Sequence, residues 1–193
     1  MRCFVALDLP AAVRAAVIDA QEALRRAAPR ADVRWVGAAG LHVTLKFLGE
    51  VAEARRDEVV AALGRAAAAH SPLGLVVRGL GGFPSARRPR VVWAGLAGGT
   101  TKLAALARDV DAALAALGFP AEARPFRSHV TLGRVRSARG LGTLAAALER
   151  QAGVDLGAWI AADITLYRSR LGPGGATYEA LARLSLGGAE PAR

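Results

Sequence analysis

Sulfur and lysine are scarce in this chain of 193 residues, which has one cysteine, one methionine, and only Lys46 and Lys102 as lysines. A single cysteine excludes an intramolecular disulfide and a multi-cysteine metal site, and it fits a reducing cytoplasm. Cys3, inside "RCFVAL", is expected to be a packed core residue. There is no uncharged apolar run of about 18 residues, which argues against a membrane-spanning helix. The opening "MRCFVALDLP" lacks the long apolar stretch of a signal peptide and reads as a first buried strand. Several signatures are also missing: His-Glu-x-x-His, paired cysteines, Gly-x-Ser-x-Gly and Gly-x-x-x-x-Gly-Lys. Their absence counts against a zinc hydrolase, an elbow-serine hydrolase and a P-loop enzyme, so no metal or cofactor is expected.

What the chain has in excess is arginine. It carries almost all of a formal net charge of +10. A basic surface raises the local concentration of a polyanion and speeds its encounter. The length suits one large domain or two small lobes sharing a core.

Strand-like and helix-like patterns alternate along the chain. Residues 2–8 read as a strand, and 11–28 as an amphipathic helix with Val13, Val17, Ile18 and Leu24 on one face, closed by Pro29. Short strands at 33–36 and 41–49 follow, joined by "GAAG", and then an alanine-rich helix at 53–69. Strands at 73–83 and 90–96 flank the polar loop "PSARRP". A second round runs through a helix at 100–117 ended by Gly118, a strand at 129–135 and a helix at 140–152. Strands at 159–169 and 176–186 should pair across "RLGPGG". This is an α/β chain of the α+β kind, a duplication with largely antiparallel sheets. Residues 1–187 are expected to form one bilobal domain, with 188–193 a disordered tail.

The same tetrapeptide, "HVTL", stands in both halves, at 42–45 and at 129–132, and holds two of the three histidines. In a strand, alternate residues share a face. His42 and Thr44 therefore point one way, as do His129 and Thr131, while Val43, Leu45, Val130 and Leu132 point into the core. If a pseudo-twofold axis relates the lobes, the two polar pairs converge on one cleft. Two imidazoles can serve as general base and general acid near neutral pH. Two hydroxyls can hold the oxygens of a phosphodiester, and Arg134 or Arg127 can add charge-assisted bonds. Strict alternation places Phe47 opposite His42, so it is expected in the core, as are Trp35 and Trp93. His70 ends a helix, where the dipole favours it. Arg87, Arg88 and Arg90 form an exposed charged loop, either simply solvated or in contact with a polyanion.

These residues resemble the 2H phosphoesterase superfamily, and more narrowly the RNA 2′,3′-cyclic phosphodiesterases, also described as 2′-5′ RNA ligases. "RCFVALDLP", "VRWVGAAGLHVTLKFLGEV", "LGGFPSARRPRVVWAGL", "FRSHVTLGRVR" and "LYRSRLGPGGATYEAL" carry the resemblance in the right order. One departure is Ser128, where the family usually has proline before the second histidine. The resemblance implies a bilobal fold whose two antiparallel sheets line a central cleft, with helices outside. It implies metal-independent hydrolysis of a terminal 2′,3′-cyclic phosphate on RNA to a 2′-phosphate, with 2′-5′ ligation as the reverse chemistry. It also implies His42 as proton donor, His129 as proton acceptor, and Thr44, Thr131 and Arg134 as substrate-binding residues. RNA ends are the expected partner of a cytoplasmic monomer with no obligate protein partner. Two other readings are a phosphodiesterase for a small cyclic nucleotide and a non-catalytic RNA-binding module.

Overall fold

The structure, a computed structural model, describes residues 1–172 and 175–187. The expected disordered tail and the tip of the "RLGPGG" loop lie outside the described residues.

The first strand, β1 (Arg2–Asp8), is apolar on both faces, and Cys3 to Leu7 are all buried. Such a run suits a strand with neighbours on both sides. Pro10 precedes α1 (Ala11–Ala27), which buries Val13, Val17, Ala20, Gln21 and Leu24. β2 (Val33–Trp35) is short, and β3 (His42–Glu50) carries the first tetrapeptide. The helix expected over 53–69 is a 3₁₀ turn at Glu53–Arg55 followed by α2 (Arg56–Ala68). β4 (Leu73–Phe83), β5 (Val91–Gly98) and α3 (Thr100–Ala115) follow, and then β6 (His129–Val135) with the second tetrapeptide. α4 (Leu141–Arg150), β7 (Asp155–Ala161), β8 (Asp163–Gly172) and β9 (Gly175–Ser185) complete the described chain.

The strand expected over 159–169 is in fact two. β7 pairs with β4 in one half, and β8 pairs with β1 in the other, so the chain changes sheets at Ala162. The Ala162 carbonyl accepts the Leu186 amide at 2.8 Å, which steadies the crossing. No glycine or proline stands at this point, and Asp163 alone interrupts the apolar and β-branched run, which is too little to mark the break. The pairing of the last two strands is as expected, with Asp163 opposite Ser185 and Gly172 opposite Gly175.

The strands are antiparallel throughout, in the order β7-β4-β5-β6-β3-β1-β8-β9. The order is symmetric about its centre. Four strands of one half meet four of the other at β6 and β3, and the junction is a single register pair, Val43 opposite Val130. Beyond that pair the two halves part, and β2 takes the vacated edge of β6. The two expected sheets are thus joined at one point. Helices α1 and α4 pack together behind β7 and β4, and α2 and α3 pack together behind β8, β9 and β3. Val43, Leu45, Val130 and Leu132 are buried beneath the helices. Each such side chain contributes about 1.5–3 kcal/mol, which anchors the strands that carry the polar residues.

Candidate active site

Because β3 and β6 are antiparallel and Val43 faces Val130, His42 stands across from Thr131 and Thr44 across from His129. The strands part on either side of Val43–Val130, so the two polar pairs flank the single point at which the halves meet. The duplicated motif therefore places two imidazoles and two hydroxyls head to tail on one face. All four side chains are partly exposed, while Val43 and Val130 between them are fully buried on the other face.

His129 is held by its backbone. Its Nδ1 lies 2.6 Å from the carbonyl oxygen of Arg127. A carbonyl only accepts, so Nδ1 carries the hydrogen, and the neutral ring presents an unprotonated Nε2 to the cleft. Phe83 packs its ring edge-on to His129 at 5.1 Å, and the Arg127 guanidinium covers Phe83 at 5.6 Å. His42 is held by rings: Phe4 stacks on it at 4.8 Å, and Tyr178 meets it edge-on at 5.5 Å. Tyr167 stacks on the other side of this cluster, 5.3 Å from Phe4.

Burial pushes the His42 imidazole down to about 4, against the pull of the Asp8 carboxylate and with some help from the Arg14 charge. Burial also lowers His129; the Arg127 carbonyl opposes that shift, and the positive charge of Arg134 adds to it. Asp8, directly opposite His42 in register, accepts bonds from Tyr167 at 2.6 Å and Thr165 at 3.1 Å. Burial and the bond to Asp8 raise the Tyr167 phenol to about 12. Arg14 ties the approach to His42, donating to the carbonyls of Ala38, Leu41 and Leu9 at 2.8, 3.2 and 3.0 Å.

The expectation that alternation puts Phe47 in the core fails here. In β3, Ala6 pairs with Thr44 but Val5 pairs with Lys46, so Leu45 is an extra residue. A bulge of this kind reverses the alternation beyond it. Lys46 turns inward and is 1% exposed, while Phe47 turns out beside Phe4 and is 61% exposed. Phe47 therefore belongs to the cleft face, not the core. The same device recurs in β6, where Trp93 pairs with Thr131 but Val92 pairs with Gly133, leaving Leu132 extra. The Leu132 carbonyl is satisfied by the buried Gln21 side chain at 2.8 Å and by the Val36 amide at 2.8 Å. Arg134 is turned out onto the cleft face, in the position equivalent to Phe47. Without the bulge, alternation would have turned it away from His129.

Trp93 is also a cleft residue, contrary to expectation. It lies opposite Thr131 and over Gly81, where an added Cβ would come within 2.4 Å of the indole. The bare glycine is what lets the ring lie flat. Trp35 does pack against the core, as expected, and so does Cys3. His70 stands two residues beyond the end of α2 and is remote from both motifs in sequence; its Nε2 pairs with Asp109 of α3 at 2.9 Å. Arg87 is 87% exposed and only 3.8 Å from Glu149, a loosely held surface residue. Phe4, Asp8, Tyr167 and Tyr178 were missed from sequence. Only their places on β1, β8 and β9, the run of strands that follows β3 in the sheet, could have indicated them.

The geometry has counterparts. The family model for LigT-like phosphoesterases matches residues 7–93 and 97–178. An RNA 2′,3′-cyclic phosphodiesterase of Aeropyrum pernix is 37% identical over 140 residues, 72% of this chain and 78% of that one. One of Methanothermobacter thermautotrophicus is 33% identical over 178 residues, 92% of this chain and 95% of that one. The crystal structure of TT0787 of Thermus thermophilus superposes with a TM-score of 0.79 at 32% identity, covering 97% of this chain and 99% of that one. The chain belongs to the LigT-like phosphoesterase family of the 2H superfamily.

Proposed function

We propose that this chain hydrolyses the 2′,3′-cyclic phosphate at the end of an RNA to a 2′-phosphate, without a metal. The observation that carries the reading is the head-to-tail placement of His42, Thr44, His129 and Thr131 around the Val43–Val130 pair. The names of the relatives from Aeropyrum pernix and Methanothermobacter thermautotrophicus agree with it.

His129 acts as the base. Its Nε2 takes a proton from water as the water oxygen bonds to phosphorus. The P–O3′ bond breaks, and O3′ takes a proton from His42. Thr44 and Thr131 hold the non-bridging oxygens, and Arg134 balances the charge that builds on them. When the 5′-hydroxyl of a second RNA replaces water, the same steps form a 2′-5′ linkage. The bond from His129 to the Arg127 carbonyl supports this assignment, because it leaves Nε2 as the acceptor.

The test uses an oligoribonucleotide ending in a 2′,3′-cyclic phosphate, with the position of the phosphate read in the product. A 2′-phosphate is expected; a 3′-phosphate, or no turnover, refutes the reading. The pH dependence adds a second expectation. The base must start neutral and the acid protonated, so kcat/KM peaks between the two free-enzyme values. Both imidazoles lie below their ordinary value of 6.5, His42 at about 4, so that peak falls on the acid side of 6.5. A bound cyclic phosphate is an anion and raises both imidazoles, so the kcat profile lies to the alkaline side of the kcat/KM profile. Coincident profiles peaking above neutrality would contradict this.

A further inference from the structure

Beside the bulge in β6, two arginines face each other. Arg34 of β2 pairs in register with Arg134 of β6, between Val33–Val135 and Trp35–Gly133. The flanking pairs fix the face. An added Cβ on Gly133 would come within 2.6 Å of Val33 and 3.0 Å of Trp35, and both of those side chains pack against the core. Arg34 and Arg134 therefore project from the opposite face, the one that carries His129 and Thr131, and both are exposed.

Like charges directly opposite one another in adjacent strands repel and destabilise the pairing. Among the described residues no carboxylate relieves this pair: neither arginine is in an ion pair, whereas Arg78, Arg170 and Arg183 lie 2.7, 3.0 and 3.4 Å from carboxylates. Two uncompensated guanidiniums side by side are a fitting site for an anion. Because Leu132 is bulged out, Arg134 stands only two partner residues beyond Thr131, opposite Val91 where Thr131 is opposite Trp93, about 7 Å along the strand. An RNA whose cyclic phosphate sits at the histidines and whose chain runs along β6 brings its preceding phosphodiester to this pair.

We propose that Arg34 and Arg134 together form a second phosphate subsite, which binds the phosphodiester immediately upstream of the cyclic end. The substrate is then a polynucleotide terminus and not a mononucleotide. The subsite rests on the hydrolase reading above, since its register is counted from the scissile phosphate. Arg34 is the specificity-determining residue, because it lies outside both His-x-Thr motifs and meets only the second phosphate.

The test pairs two substrates with two proteins. One substrate is a ribodinucleotide ending in a 2′,3′-cyclic phosphate. The other is identical except that a neutral methylphosphonate replaces the internal phosphodiester. Wild type should favour the charged linkage about tenfold in kcat/KM, the loss expected for one charge-assisted contact of roughly 1.4 kcal/mol. Arg34→Gln should fall to nearly equal rates on the two, with a melting temperature no lower than the parent's, since the residue is exposed and the substitution relieves the repulsion. If Arg34→Gln keeps the full preference, or if wild type shows none, the subsite is overturned while the hydrolase reading stands. If wild type turns over neither dinucleotide, the hydrolase reading falls and takes the subsite with it.

Discussion

Replacing His129 by alanine is expected to lower kcat by about 10²–10⁴-fold, with a similar loss for His42→Ala. Each substitution removes one of the two proton-transfer groups that the duplicated strand brings to a single phosphate. The two losses should not multiply fully in the double variant, because the two groups act on one transition state. His129→Ala also frees the Arg127 carbonyl that the imidazole bonds at 2.6 Å. That carbonyl lies on a partly open segment and can turn to water, so the fold should persist. His42→Ala removes a ring stacked on Phe4, and a drop of a few degrees in melting temperature is expected there. Single-turnover rates on a cyclic-phosphate oligonucleotide, with circular dichroism as the folding control, decide the matter. A folded variant of either kind retaining more than roughly a tenth of the parent rate would remove that histidine from the chemistry.

The strands that bear the motif, and the reason for its repetition, could be read directly. "HVTL" alternates polar and apolar residues over a length that only a half-buried strand accommodates. Its second copy makes the two-half architecture legible, because one half alone could supply only one imidazole. The local register beyond the motif was not legible. Alternation assumes one residue per partner residue, and the bulges at Leu45 and Leu132 break that assumption just after each threonine. The groups that bond to the bulged segments lie elsewhere in the chain, Gln21 in α1 and Asp111 in α3, and no local pattern in "LKFLG" or "LGRV" reports them. Phe47 and Arg134 both lie just beyond these bulges, and so alternation counted from the histidines misplaces them. The crossing at Ala162 was hidden for a similar reason. β-Rich sequence fits either sheet, and which sheet is joined depends on the neighbours β4 and β1, far away in the chain.

Asp111→Ala should destabilise the protein by about 3–5 kcal/mol, the usual consequence of stranding one member of a buried ion pair. Lys46 is the buried member: its side chain has no exposure, and its ammonium donates to the Asp111 carboxylate and to the Pro120 carbonyl, the latter at 2.6 Å. Asp111 is 23% exposed and also accepts the Glu122 amide at 3.2 Å. Removing the carboxylate leaves a positive charge in the core with one neutral acceptor. The opposite truncation, Lys46→Met, should cost less, because the stranded carboxylate is already partly hydrated and the thioether fills much of the lysine's volume. The double variant should therefore be more stable than Asp111→Ala alone, since no unpaired charge remains buried. The order also bears on the cleft. Lys46 is the residue that the β3 bulge turns inward, and its inward anchor is what turns Phe47 outward beside Phe4. Urea unfolding of the three variants gives the ranking directly. If Asp111→Ala unfolds within roughly 0.5 kcal/mol of the parent, as an ordinary surface substitution would, then the Lys46 charge is compensated by other groups and the pair does not hold the bulge.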